Sequence, residues 1–228
     1  MRMRREIFGA FLLALAAALP MAAVAVTGHV RVEGRPQHTP ATTIVYAESL
    51  DGQTPLIPGT FRMAQHDKSF VPHVLAVPAG SAIEFPNTDP IFHNVFSLSP
   101  PAPFDLGLYR AGASKTRVFS KPAVYNVFCN IHPEMSGIIL VLPTSLIAEA
   151  DADGGYRLNL APGRYRVTAW SERSAPASVE VNVPSDASTL PELRLDESKF
   201  VEAPHKNKYS QDYPRSSYDP TSAGHSKW

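Results

Sequence analysis

The chain is predicted to be all-β, and three observations predict it. Twenty-two prolines and thirteen glycines cut the 228 residues into short pieces. Between those breaks, apolar and polar residues alternate with a period of two. No helical periodicity of 3.6 survives beyond the N-terminal segment. A hydrophobic content of 44% is ample for a packed core, and the length suits one large or two small domains. The formal net charge is zero, so nothing in the composition calls for a nucleic-acid partner.

Residues 1–25 read as a secretory signal. Arg2, Arg4 and Arg5 precede an apolar run from Ile7 to Leu19 that is short for a bilayer span, and Ala23-Val24-Ala25 fits a small-x-small cleavage site. Cleavage would start the mature chain at Val26 with a net charge of about −2, no membrane span, and a periplasmic or secreted location. Val26 to Glu33 alternates as a first strand, and Thr42 to Ala47 as a second. Residues 54–60 are loop, with Pro55, Pro58 and Gly59. A short strand is expected at Phe61 to Gln65. Phe70 to Val77, then Ala82 to Phe85, are strands around the turn Pro78 to Ser81. A further strand covers Thr116 to Phe119.

The chemistry concentrates in Tyr125 to Val141, YNVFCNIHPEMSGIILV, which holds the protein's one cysteine. Cys129, His132 and Met135 are spaced three apart on a turn between an alternating strand and the continuous apolar run Ile138 to Leu142. Pro133 stiffens that turn and Gly137 is expected to release it. Thiolate, imidazole and thioether are soft or borderline donors that favour copper over calcium or magnesium. Alone, Cys129 is equally well read as a small buried hydrophobe. An exported chain, however, keeps an unpaired cysteine at a cost unless it is buried or bound. A second histidine is available upstream in Phe85 to Ser97. There His93 and Val95 share one strand face, and Phe92 and Phe96 the other.

An upstream His93-Asn94-Val95 followed by Cys129-x-x-His132-x-x-Met135 resembles the cupredoxins, the type 1 blue copper family. The ligand loop is most similar to those of amicyanin and plastocyanin. The resemblance covers Phe61 to Leu142 well and residues 26–60 loosely, which makes residues 61–143 the copper-binding core. It implies a Greek-key β-sandwich with one copper ion held by His93, Cys129, His132 and Met135. It also implies that Asn94 pins the two ligand-bearing loops together, with no catalytic residue. His66 and His73 read as ordinary surface or strand-end histidines, and His205 and His225 as solvated.

Beyond Pro143 the pattern changes. Tyr156 to Leu160, Tyr165 to Trp170 and Ser178 to Val183 alternate, and this stretch (residues 144–196) resembles a transthyretin-like or carboxypeptidase-regulatory-like β-sandwich. Pairing with the strands of residues 26–60 would make the copper-binding core an insertion in that second unit. Asp151 to Gly155 lacks the spacing of a calcium loop and reads as a hairpin turn. Residues 197–228 are polar and aperiodic, and read as a flexible tail or as a segment that orders on a partner.

The function expected is single-electron shuttling between redox partners, such as a cytochrome or a dehydrogenase, through transient contacts. Ile91, Phe92, Ile131 and Pro133 would form the apolar docking rim beside His132. Three readings compete with it: a copper carrier or storage protein, a structural zinc site, and a metal-free β-sandwich binding protein. An enzyme is not expected. Four protein ligands leave no open position, and the chain has neither His-x-His pairs nor a second cysteine for further copper.

Overall fold

The computed structural model describes residues 23–35, 41–52, 54–184, 189–201 and 205–213. The leader (except its last three residues) and His225 lie outside them. Every regular element among the described residues is a strand. The chain opens with β1 (Val24–Glu33) and β2 (Ile44–Ser49). Then come β3 (Thr60–Arg62), β4 (Ala64–His66), β5 (Ser69–Val71), β6 (Val74–Pro78) and β7 (Ser81–Pro86). They are followed by β8 (His93–Ser97), β9 (Phe104–Tyr109), β10 (Ser114–Phe119), β11 (Ala123–Phe128) and β12 (Ser136–Leu142). The last five are β13 (Ile147–Glu149), β14 (Gly155–Leu160), β15 (Gly163–Trp170), β16 (Ala177–Val183) and β17 (Leu193–Asp196).

Two sheets built from β3 to β12 enclose one core. Their orders are β10-β7-β3 and β6-β12-β11-β8-β9, with β4 and β5 as a separate hairpin. Ile83, Phe85, Val95, Phe119, Tyr125, Val127, Ile139 and Val141 fill the space between them. Phe119 meets Tyr125 and Phe104 edge-on, at centroid distances of 5.2 and 5.5 Å, which is favourable aromatic geometry.

The remaining strands form two more sheets, β14-β1-β17 and β13-β2-β15-β16, around a second core that includes Val26, Val45, Leu158, Leu160, Val167 and Leu195. The N-terminal strands thus pair with those that follow Pro143: β1 lies against β14, and β2 against β13 and β15. β1 begins before Val26, because Val24 and Ala25 pair with Leu160 and Asn159. Asp151 to Gly155 closes on itself, the Asp151 carboxylate accepting from the amides of Asp153 and Gly155.

The continuous apolar run of β12 has a simple cause: both faces of the strand are covered. Ile139 and Val141 point into the first core. Ile138, Leu140 and Leu142 join Val74, Ile44 and Trp170 in a third cluster, where the two sandwiches meet. Gly137, at the start of β12, serves this packing and does not free the loop before it. A Cβ there would lie 3.0 Å from Phe70 Cβ and 3.2 Å from the His73 carbonyl oxygen.

A charged bond reinforces the junction. His73 reaches Glu172 with Nε2 at 2.8 Å and the Ser136 carbonyl with Nδ1 at 3.2 Å. The Glu172 bond raises the imidazole above its ordinary value against the opposing effect of burial. The same bond holds the Glu172 carboxyl below its own ordinary value, again against burial. Stability from His73 is therefore complete below about pH 6.5 and is lost as pH rises through the raised folded value. That from Glu172 is complete above about pH 4.5, its ordinary value, and is lost as pH falls through the lowered one. The gap in urea midpoint between the native chain and His73→Gln should therefore be widest between about pH 4.5 and 6.5 and narrow towards about pH 9. A gap of constant size across that range would mean that the pair contributes nothing to the junction.

Candidate metal centre

The site is built at one end of the first sandwich, where β8 and the β11–β12 hairpin lie side by side. The register of β8 against β9 shifts between Asn94 and Phe96, a bulge that re-aims side chains next to the site. His93 and Val95 are fully buried. On the other face Phe96 is buried against Phe128, while Phe92 is 53% exposed. The hairpin ladder pairs Phe128 with Ser136. Past it, the Cys129 amide donates to the Met135 carbonyl at 3.3 Å, and the Met135 amide to the His132 carbonyl at 3.1 Å. Cys129 and Met135 thus face each other across a closed loop, and both are fully buried.

Three of the four candidate donors converge. His93 Nδ1 is 3.1 Å from His132 Nδ1, and Cys129 Sγ is 3.9 Å and 3.6 Å from those two nitrogens. The triad is one of two side-chain groups with metal-binding spacing among the described residues; the other, His66 with Asp67 and Asp89, is mostly exposed. Met135 lies on the same loop. His132 is half-buried, and burial followed by the neighbouring His93 lowers its imidazole, keeping a lone pair free at neutral pH. His66 is exposed and bonds Thr88, and His73 belongs to the junction.

The arrangement depends on a residue that the sequence did not single out. Asp89 is 5% exposed and accepts from His93 Nε2 at 2.7 Å, from the Asp67 amide at 2.7 Å and from the Lys68 amide at 2.9 Å. Burial pushes its carboxyl up, but the bonds from Lys68, His93 and Asp67 outweigh this and hold it below its ordinary value. A carboxylate on Nε2 assigns the proton to that nitrogen and turns the Nδ1 lone pair towards Cys129 and His132. Buried Asn87 shapes the turn, donating from Nδ2 to the Ile91 carbonyl and accepting from the Asp89 amide. The only sequence signal was a carboxylate four residues before a histidine, a weak one.

Two expectations fail here. Asn94 makes no hydrogen bond to the Cys129 loop: its Nδ2 donates to Asp105 Oδ1 at 2.7 Å, and its Oδ1 has no partner. Asp105 captures the amide because it lies on the strand paired with β8. Nor are residues 197–201 and 205–213 free. Glu197 is buried, bonded to Arg35 and Ser171, and His205 stacks on Phe128 rather than standing in solvent.

No protein-family model matches the chain, and no curated protein matches it. Solved structures similar to part of it include a copper-containing nitrite reductase from Thermus scotoductus SA-01, at 32% identity and a TM-score of 0.35. That match covers 38% of this chain and 22% of the reductase, so the chain spans only a minor part of it. A purple cupredoxin from Nitrosopumilus maritimus matches at 22% identity and TM-score 0.33, over 36% of this chain and 98% of its own. A Cu(I) amicyanin variant matches at 17% identity and TM-score 0.35, over 36% and 82%.

Replacing Asp89 with Ala leaves one buried and two part-buried donors without an acceptor. In metal-free protein this should cost roughly 3 kcal/mol by urea unfolding, with Asp89→Asn, which keeps one acceptor oxygen, losing less. No loss at all in Asp89→Asn would show that the carboxylate merely fills space.

Proposed function

We propose that this is an exported electron-transfer protein that carries one copper ion on His93, Cys129 and His132, with the Met135 thioether as a weak fourth ligand. The observation that carries the reading is the convergence of two imidazole Nδ1 atoms and one thiol sulfur within 3.1–3.9 Å in a buried pocket. Packing alone gives no reason to crowd these atoms together, since buried polar groups are costly without partners. The donor set fits copper: two borderline nitrogens, one soft thiolate and one soft thioether. Zinc fits less well, because a thioether is a poor zinc ligand.

Bound copper would supply a Cu(II)/Cu(I) couple. The chain's own residues do the rest. Asp89 fixes the His93 tautomer, and the hydrogen-bonded loop sets Cys129 opposite Met135. The surrounding apolar core excludes water. With the protein filling every donor position, no place is left for a substrate, so the reading is of an electron carrier rather than an enzyme. His132 is the ligand nearest solvent, and Phe92 and Ile131, 53% and 46% exposed, flank it. That apolar rim suits a small, short-lived interface with a redox protein such as a cytochrome or dehydrogenase. Among the described residues no helix is long and apolar enough to cross a membrane, and export rests on the N-terminal sequence.

Copper titration of the purified protein, followed by visible absorption and EPR, tests the assignment. An intense thiolate-to-copper band is expected, absent with zinc alone and lost in Cys129→Ser; a colourless copper-treated protein would refute it. For the rim, Ile131→Lys should slow electron exchange with an apolar-faced redox partner while leaving the absorption band in place. Unchanged exchange would move the docking face elsewhere.

A further inference from the structure

We infer that residues 205–213 form a strap that belongs to the metal centre: it holds the Cys129–Met135 loop in shape from outside and sets how fast metal leaves. The inference about metal release rests on the copper reading above. The inference about the loop does not.

The strap has its own fold. Asn207 is 9% exposed, and its Oδ1 accepts from the amides of Tyr209 and Gln211 at 2.9 and 3.1 Å. The Ser210 amide donates to the Asn207 carbonyl, and the Asn207 amide to the Gln211 carbonyl, both at 2.9 Å. This compact turn presents its anchors in one direction. His205 donates from Nε2 to the Pro133 carbonyl at 2.6 Å and stacks on Phe128, with centroids 4.2 Å apart and planes 22° apart. The Lys208 amide donates to Asn130 Oδ1 at 3.1 Å. The Tyr213 hydroxyl donates to the carbonyl oxygen of Cys129 itself at 2.8 Å. Burial pushes the Tyr213 phenol up to about 12, so it remains a donor at any physiological pH.

The placement of these anchors carries the inference. Phe128, Cys129, Asn130 and Pro133 are consecutive or nearly so along the loop. Within the loop, two backbone bonds link Cys129, His132 and Met135 and close it. Besides the 3.1 Å contact between His132 and His93 and the burial of Cys129 and Met135 in the first core, its tie to the sandwich among the described residues is a 3.9 Å surface ion pair between Lys68 and Glu134, an interaction of little energetic worth. The strap also reaches the other ligand segment. Lys208 Nζ donates to Asp105 Oδ2 at 2.7 Å, and Asp105 Oδ1 accepts from the side chain of Asn94, the neighbour of His93. Asn94 does not bridge the two ligand segments, and the strap spans both. A segment of the same chain docks at high effective concentration, so a few bonds suffice to keep it seated. Because Cys129 and His132 leave a metal only if their loop opens, undocking of the strap precedes release.

Tyr213→Phe removes one hydroxyl, and His205→Ala removes the stack and the bond to Pro133. Tyr209→Phe, on an exposed ring of the same turn, serves as the control. In metal-free full-length protein, amide hydrogen exchange over residues 130–136 should quicken about tenfold in each of the first two variants and stay unchanged in the control. In copper-loaded protein, loss of copper to an excess of chelator should quicken by a similar factor. Unchanged exchange in both variants would overturn the strap, whatever copper does. Faster exchange with unchanged copper loss would overturn its control of release. Faster exchange in a chain that binds no copper would leave the strap standing and remove the copper reading instead.

Discussion

β12 is buried on both faces, and much of the molecule follows from that. A strand with one wet face can slide or fray, whereas one packed on two cores has its register fixed from both sides. Ile139 and Val141 lock it to the first sandwich, and Ile138, Leu140 and Leu142 to the second. The loop carrying Cys129, His132 and Met135 runs directly into this strand. The position of Met135 opposite Cys129 is therefore inherited from the junction between the sandwiches. The His73 bonds to Glu172 and to the Ser136 carbonyl add a polar contact at the same point.

The other half of the centre is positioned by polar groups. His93 emerges next to a bulge, where sheet pairing gives less control over side-chain direction, and Asp89 compensates by gripping its far nitrogen. Asp89 is in turn held by two backbone amides of the β4–β5 turn, at Asp67 and Lys68, both with positive φ. One histidine is thus aimed by a chain of hydrogen bonds and the cysteine by packing. Their three donor atoms meet where those two systems overlap.

The parts of this that were legible in the sequence are those written with a period or a spacing. Alternation located the strands, because burying one face of a sheet forces it. The Cys129, His132, Met135 spacing named a loop with three donors, and His93 stood out as a histidine in an apolar strand. Asp89 was not legible, since a single carboxylate in a Pro-Asn-Thr-Asp-Pro turn looks like turn chemistry, and its role depends on a neighbour brought close by folding. The strap was illegible for a related reason. Polar, aperiodic sequence is the signature of a segment that cannot fold alone, and it is also what a segment looks like when its partners are backbone carbonyls supplied by another part of the same chain.

That ambiguity bears on how the Cys129 loop came to be held. Sequence resemblance suggested that Asn94 would tie the two ligand segments together, but the Asn94 amide is spent on Asp105 and its oxygen has no partner. The tie is made instead by His205, Lys208 and Tyr213, residues separated from the loop in sequence by β12 to β17. Glu197, bonded to Arg35 and Ser171, fixes where the last strand of that sandwich ends. The second unit is thereby more than an appendage. Its strands cover the outer face of β12, and residues 205–213, which follow it in sequence, bond to the loop, so the candidate metal centre is held from beyond the sandwich that supplies all of its donors.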